Sequence, residues 1–166
     1  MALFARNHPD WRLTGIDPSA EMLALAVKTM GDTANRANLI CGFVPDAPPG
    51  PFDAATCILT LHFVPREERL PTLQAIRARL KPGAPFVCAH HSVPATNRAD
   101  WFARFAAFAE MNGLPGTDIR AGARKMAAEL PILTPAEDEA LLRGAGFTNV
   151  TPFYHALTFR GWVGLA

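Results

Sequence analysis

Phe52-Asp53-Ala54-Ala55-Thr56-Cys57-Ile58-Leu59-Thr60-Leu61-His62-Phe63 is the longest apolar run in the chain. It lacks the polar alternation of a half-exposed strand. The run therefore predicts a strand buried on both faces, the pattern of a parallel sheet covered by helices. Its flanks agree. Downstream, Leu70, Leu73, Ile76 and Leu80 recur at helical spacing over 66–80, with Pro71 expected in the first turn. Lys81-Pro82-Gly83 stops that helix, and 85–90 predicts another buried strand. Upstream, 11–16 predicts a short strand. Asp17 and Pro18 then read as the cap and first residue of a helix over 19–30 whose apolar positions are Ala20, Leu23, Val27 and Met30. A second short strand is expected over 39–43, followed by a Pro-rich loop over 45–51.

Beyond residue 90 the order changes. Residues 98–111 predict a helix that gathers Trp101, Phe105 and Phe108, with Phe102 beside them, and a further helix is expected over 117–130. Thr134-Pro135-Ala136-Glu137 is a capping box with proline at the first helical position, so a helix runs from there to about Arg143. Gly144-Ala145-Gly146 ends it. Two strands, 149–155 and 158–163, follow with no helix between them and should be antiparallel neighbours. The expected fold is α/β: a doubly wound, mostly parallel open sheet with helices on both faces and an antiparallel C-terminal hairpin. It is read as one domain over 1–166, with 94–134 as a helical insertion or lid.

Composition narrows the classes. The 166 residues suit a single domain. With 49% hydrophobic and 19% charged residues, a disordered chain is excluded. The net charge of +1 supplies no strong field for nucleic acid or an anionic membrane. No apolar run reaches the ~18 residues that would cross a bilayer, and residues 1–9 lack the form of a signal peptide, so a cytoplasmic protein is the default. Cys41, Cys57 and Cys88 fit no zinc spacing and read as buried thiols.

Several stretches coincide in order: Gly15-Ile16-Asp17-Pro18-Ser19 with Met22 after it, Phe52-Asp53-Ala54-Ala55 running through Leu59-Thr60-Leu61-His62, Leu80-Lys81-Pro82-Gly83, and Gly144-Ala145-Gly146-Phe147 before two strands. This ordered set resembles a class I S-adenosylmethionine (SAM)-dependent methyltransferase from its second strand onward. The last hairpin, 153–162, is similar to that of proteins related to carboxy-SAM synthase. The resemblance implies SAM as cofactor, with Asp17 on its ribose hydroxyls, Met22, Phe43 and Val44 near the adenine, and Thr60 and Leu61 where cofactor and substrate meet. An acidic residue is frequent at the position of Phe43, so adenine recognition here would rest on stacking and backbone groups. From the residues themselves, Asp17 also reads as a helix cap and Met22 as a core methionine.

The family's Gly-rich turn after its first strand has no counterpart here, and residues 1–8 read as the end of the helix that should follow that turn. The first strand and the Gly-rich loop are therefore expected to be missing. In the family that strand is central, so two strand edges are left without partners. The expected outcomes are a fragment or internal start, a gap filled by a partner (a dimer through the edges included), or edges that close on each other.

Methyl transfer needs alignment of the acceptor, and a base only where the acceptor carries a proton. His62, His90 and His91 stand at strand ends; His62 and His90 are the candidate substrate residues, and each also reads as a structural histidine. Adjacent histidines do not share one metal easily, so no metal is expected. The aromatic helix reads as a lid or as core. Arg98, Arg104, Arg120, Arg124 and Lys125 could meet an anionic substrate such as RNA, but they are interleaved with Asp100, Glu110 and Asp118, which better suits a solvated face. Tyr154 lacks the lysine four residues on that a short-chain dehydrogenase uses. The expected function is methyl transfer to a small molecule or nucleoside. The alternatives are a non-catalytic remnant or interaction module, and a carboxy-SAM synthase-like enzyme.

Overall fold

The computed structural model describes residues 1–114 and 118–166. Contacts divide the chain into two compact units, Met1–Pro49 and Gly50–Ala166.

The first unit is a βαβ element preceded by a short helix. It contains α1 (Ala2–Asn7), β1 (Leu13–Asp17), α2 (Ala20–Met30) and β2 (Ala37–Cys41), with 3-10 turns at Gly31–Arg36 and Val44–Asp46. The two strands pair in parallel, from Leu13 opposite Ala37 to Asp17 opposite Cys41. Arg36 fastens the segment after α1: its Nη1 donates to the carbonyls of His8 at 3.1 Å and Pro9 at 2.7 Å, and Nη2 to that of Ala5. On α2, Met30 is buried and Leu23 half-buried, but Ala20 and Val27 are exposed. The apolar face read from the sequence is thus only partly covered within this unit.

The second unit holds β3 (Ala55–Ile58), α3 (Arg66–Arg77), β4 (Pro85–His91), α4 (Arg98–Met111), α5 (Ile119–Glu129), α6 (Pro135–Gly144), β5 (Thr148–Ala156) and β6 (Phe159–Leu165). Its sheet has the order β3-β4-β6-β5. β3 and β4 are parallel, while β6 runs antiparallel to both β4 and β5. The expected C-terminal hairpin is present. So is the capping box of α6: Glu137 N–H donates to Thr134 Oγ1 at 3.3 Å and Thr134 N–H to Glu137 Oε2 at 2.7 Å. Leu61, Leu73, Phe86, Leu142, Phe147 and Trp162 form the main core, with the Phe86 and Phe147 rings stacked at 4.8 Å. A second core of Val93, Phe102, Ala106, Ala123 and Ile132 lies within the helical stretch.

Several expectations are corrected. The run over 52–63 is not one strand. β3 has only four residues, and Leu59 at φ 57° turns the backbone into the left-handed region, which ends the extended conformation. His62 then sits in a 3-10 turn, Leu61–Phe63. β3 is also not buried on both faces: Thr56 and Ile58 are exposed, in period-2 alternation with half-buried Ala55 and Cys57. Pro71 is the sixth residue of α3 rather than part of its first turn. It is exposed, as is Glu67, whose carbonyl loses the proline's missing N–H and can be hydrated instead. Of the cysteines only Cys88 is buried; Cys57 is intermediate and Cys41 exposed. Phe108 is exposed, and Phe102 takes the buried position on α4. The helix expected from Thr117 begins at Ile119, and Thr117 itself lies outside the described residues.

Candidate functional site

In the first unit, both strands end on the same side of their ladder. Asp17 is the last residue of β1, and its N–H···O partner beyond the ladder is Gly42, whose N–H donates to the Asp17 carbonyl at 3.1 Å. Asp17 is not the cap of α2. Ser19 holds that position and accepts the Met22 N–H at 3.2 Å. The Asp17 carboxylate instead closes a tight turn, with Oδ1 accepting the Ser19 N–H at 2.8 Å. It is half-buried, and no bond to Oδ2 is recorded among the described residues. An ionised carboxylate has lone pairs to spare after one such bond.

Two residues past β2, Phe43 is 67% exposed, an unusual setting for a phenyl ring beside a strand terminus. Its N–H donates to Asp46 Oδ2 at 2.8 Å, which fixes the turn that carries Val44. Gly42 makes this approach possible: a Cβ there would stand 2.5 Å from Asp46 Oδ2. Met22 is 52% exposed, so it is not a core methionine within its unit.

The second unit holds the remaining candidates, and they meet different fates. Thr60 is exposed, and its hydroxyl donates to the Ile58 carbonyl at 3.1 Å. Leu61 packs in the main core, leaving only its backbone available. His62 is 3% exposed and lies edge-on to His91 at 4.7 Å between ring centroids, and 6.4 Å from His90. Burial lowers the His62 pKa to about 3, with smaller electrostatic contributions from His91, His90 and Arg69. His91 is lowered to about 4 for the same first reason. Its Nδ1 lies 2.9 Å from Thr158 Oγ1, and its ring stacks on Phe159 at 4.2 Å. Both imidazoles are therefore neutral at neutral pH.

Beside them is a buried ionic group that the sequence reading missed. Asp138 Oδ1 lies 3.2 Å from His90 Nε2 and 3.8 Å from Arg69 Nη1, ion-pair distances without the alignment of a hydrogen bond. Five of the six buried side-chain polar atoms lacking a hydrogen bond among the described residues belong to His62, Arg69, His90 and Asp138. Polar demand is thus concentrated at one place in this unit. A signal did exist. Arg69 precedes Leu73, Ile76 and Leu80 by four, seven and eleven positions, and Asp138 precedes Leu142 by four. A charge in register with an apolar helical stripe must find a partner inside. A separate cavity of about 540 Å³ between α4 and α5, lined by Phe102, Ala106, Ala123 and Arg124, includes none of the candidate residues. Among the described residues no cluster of histidine, cysteine and carboxylate side chains could hold a metal ion, and no helix is long and apolar enough to cross a membrane.

The profile of a methyltransferase domain matches residues 1–83. The carboxy-S-adenosyl-L-methionine synthase of Chromohalobacter salexigens is 30% identical over an alignment of 171 positions that covers 98% of this chain and 62% of that protein. Among solved structures, an O-methyltransferase family 2 protein from Planctomyces limnophilus superposes with a TM-score of 0.69 at 15% identity, over 99% of this chain and 45% of that one. Human N-acetylserotonin methyltransferase, solved with SAM, superposes with a TM-score of 0.64 at 14% identity, over 97% of this chain and 42% of that one. The chain thus spans under two thirds of the relative in sequence and under half of these structures.

Proposed function

The chain belongs to the class I SAM-dependent methyltransferase family, and we propose that it binds SAM through its first unit and transfers the methyl group to a small-molecule or nucleoside acceptor. The observation that carries this reading is Asp17. Its half-buried carboxylate ends a parallel strand, where open α/β sheets bind ligands. Ser19 does the capping, which leaves the Asp17 carboxylate able to accept from two vicinal hydroxyls. Phe43 offers an exposed ring to an adenine face, and Val44 lies on the turn fixed by Asp46.

SAM, when bound, supplies the electrophilic methyl carbon and a neutral thioether leaving group. An acceptor's lone pair would take that carbon and the thioether would leave. Alignment is the protein's main contribution. Where the acceptor is a hydroxyl, His62 is the residue that takes its proton. It is neutral, and its buried Nδ1 has no hydrogen-bond partner among the described residues. With a pKa of about 3 it is a weak base, so the proton leaves as the new bond forms rather than ahead of it.

Titration calorimetry and thermal unfolding with SAM and S-adenosylhomocysteine test this. Binding should appear as heat and as a raised Tm, with about 2.7 kcal/mol of stabilisation at a hundredfold excess over Kd. Neither signal at millimolar ligand would leave the non-catalytic reading standing. A second reading, formation of carboxy-SAM, is supported by the 30% identity to the Chromohalobacter salexigens protein. Mass spectrometry of the product formed from SAM with prephenate separates the two.

A further inference from the structure

We propose that Arg69 is a positioning residue that holds the turn bearing His62 and couples it to the Asp138–His90 pair. This rests on the role given to His62 above.

Arg69 is 1% exposed. Burying a guanidinium is costly, and an apolar side chain of similar size would serve packing as well or better. The contacts show what the charge does instead. Nε donates to the Val64 carbonyl at 3.0 Å, at the end of the His62 turn. Nη2 donates to the Pro131 carbonyl at 2.5 Å, where the chain returns from α5 toward α6. Nη1 faces Asp138 on α6 at 3.8 Å. One planar fork therefore meets three segments, and its donors point in fixed directions, so it sets their spacing as well as attracting them. The His62 turn is otherwise held by Leu61, which packs in the main core, and by two backbone bonds of its own, Phe63 N–H to the Thr60 carbonyl at 2.9 Å and Val64 N–H to the Leu61 carbonyl at 3.1 Å, none of which reaches α6. The charged and titratable groups around His62 are Arg69 on α3, His90 and His91 on β4, and Asp138 on α6 through His90.

The experiment is long-range proton–nitrogen spectroscopy of the histidine rings in the full chain, with His62 assigned by a His62→Gln control. Arg69→Lys keeps the charge and loses the fork. Arg69→Met loses both, and Asp138→Asn keeps the shape while removing the counter-charge. Wild type should show a single tautomer at His62. In Arg69→Lys that pattern should give way to a tautomer-averaged one. In Arg69→Met the titration midpoint should also rise from about 3, but only slightly, because burial is the main cause of the lowering and Arg69 the least of those that contribute. Asp138→Asn should move the His90 ring nitrogens and perturb those of His62. If the variants unfold at lower temperature yet leave His62 signals at wild-type positions, Arg69 is structural only and the proposal fails. Should Arg69→Met not fold, the other two variants decide. Calorimetry with SAM on each variant should still give binding heat, because Asp17, Phe43 and Val44 lie in the other unit. Wild-type protein that binds no SAM would sink the functional reading while leaving the His62 result to stand or fall by itself.

Discussion

Replacing Asp17 separates its two possible duties. The carboxylate accepts the Ser19 N–H at 2.8 Å, so Asp17→Ala removes one local hydrogen bond, a loss of about 0.5–1.5 kcal/mol in stability. If the same carboxylate also accepts two hydroxyls from a bound nucleoside, its removal takes away charge-assisted bonds of about 1.5–3 kcal/mol. At 25 °C that corresponds to a Kd raised by about 13-fold to about 160-fold. Asp17→Asn is the sharper variant. Its side-chain oxygen can still accept the Ser19 N–H, so the turn should survive, but the charge is gone and only one acceptor oxygen remains. The expected order of SAM affinity is wild type, then Asn, then Ala, with Asn close to wild type in unfolding free energy. Isothermal titration gives the affinities, and urea unfolding without ligand gives the stabilities. Affinities unchanged in both variants, alongside a stability loss in Asp17→Ala, would show that Asp17 only shapes the turn, and the ribose assignment would be withdrawn.

The buried histidines make stability depend on pH. His62 and His91 have folded pKa values of about 3 and about 4, below the 6.5 of a free imidazole. The unfolded chain therefore takes up protons that the folded chain refuses, so stability is complete above about pH 6.5 and falls as pH drops toward 4 and then 3. Each group contributes a slope of at most about 1.4 kcal/mol per pH unit. Urea midpoints that stay flat from pH 7 to 5 would contradict this. Phe86 is 1% exposed and stacked on Phe147, so Phe86→Ala should cost about 3–5 kcal/mol, measured by the same unfolding curves. Thr134→Ala removes one half of the α6 capping box and should cost about 1 kcal/mol; a loss beyond 2 would mean that Thr134 has duties other than capping.

Legibility in the sequence followed the range of the interaction. The capping box at Thr134–Glu137 and the hairpin after Phe147 rest on neighbours a few residues apart, and both stand where the pattern put them. The run over 52–63 misled because hydrophobicity reports a drive to be buried, not the φ angle at Leu59 that ends the strand. Asp-Pro before an apolar stripe suits a cap at Asp17. Ser19 is equally suited, and only backbone geometry chose between them. The cysteines show the limit of composition: Cys41 lies in an apolar stretch, yet its side chain falls at the exposed end of β2.

The sequence by itself determined the alternation of strands and helices, the antiparallel ending and the carboxylate at the tip of β1, because periodicity, turn chemistry and caps are encoded within a few residues of each other. The tertiary structure alone decided that Arg69, Asp138 and His90 meet in one buried polar cluster, and that Arg69 reaches across 62 positions to the Pro131 carbonyl. Such contacts join residues that are neighbours only after the chain has crossed over. A sequence can show that a charge lies on an apolar stripe and needs a partner, but the identity of that partner is fixed by topology.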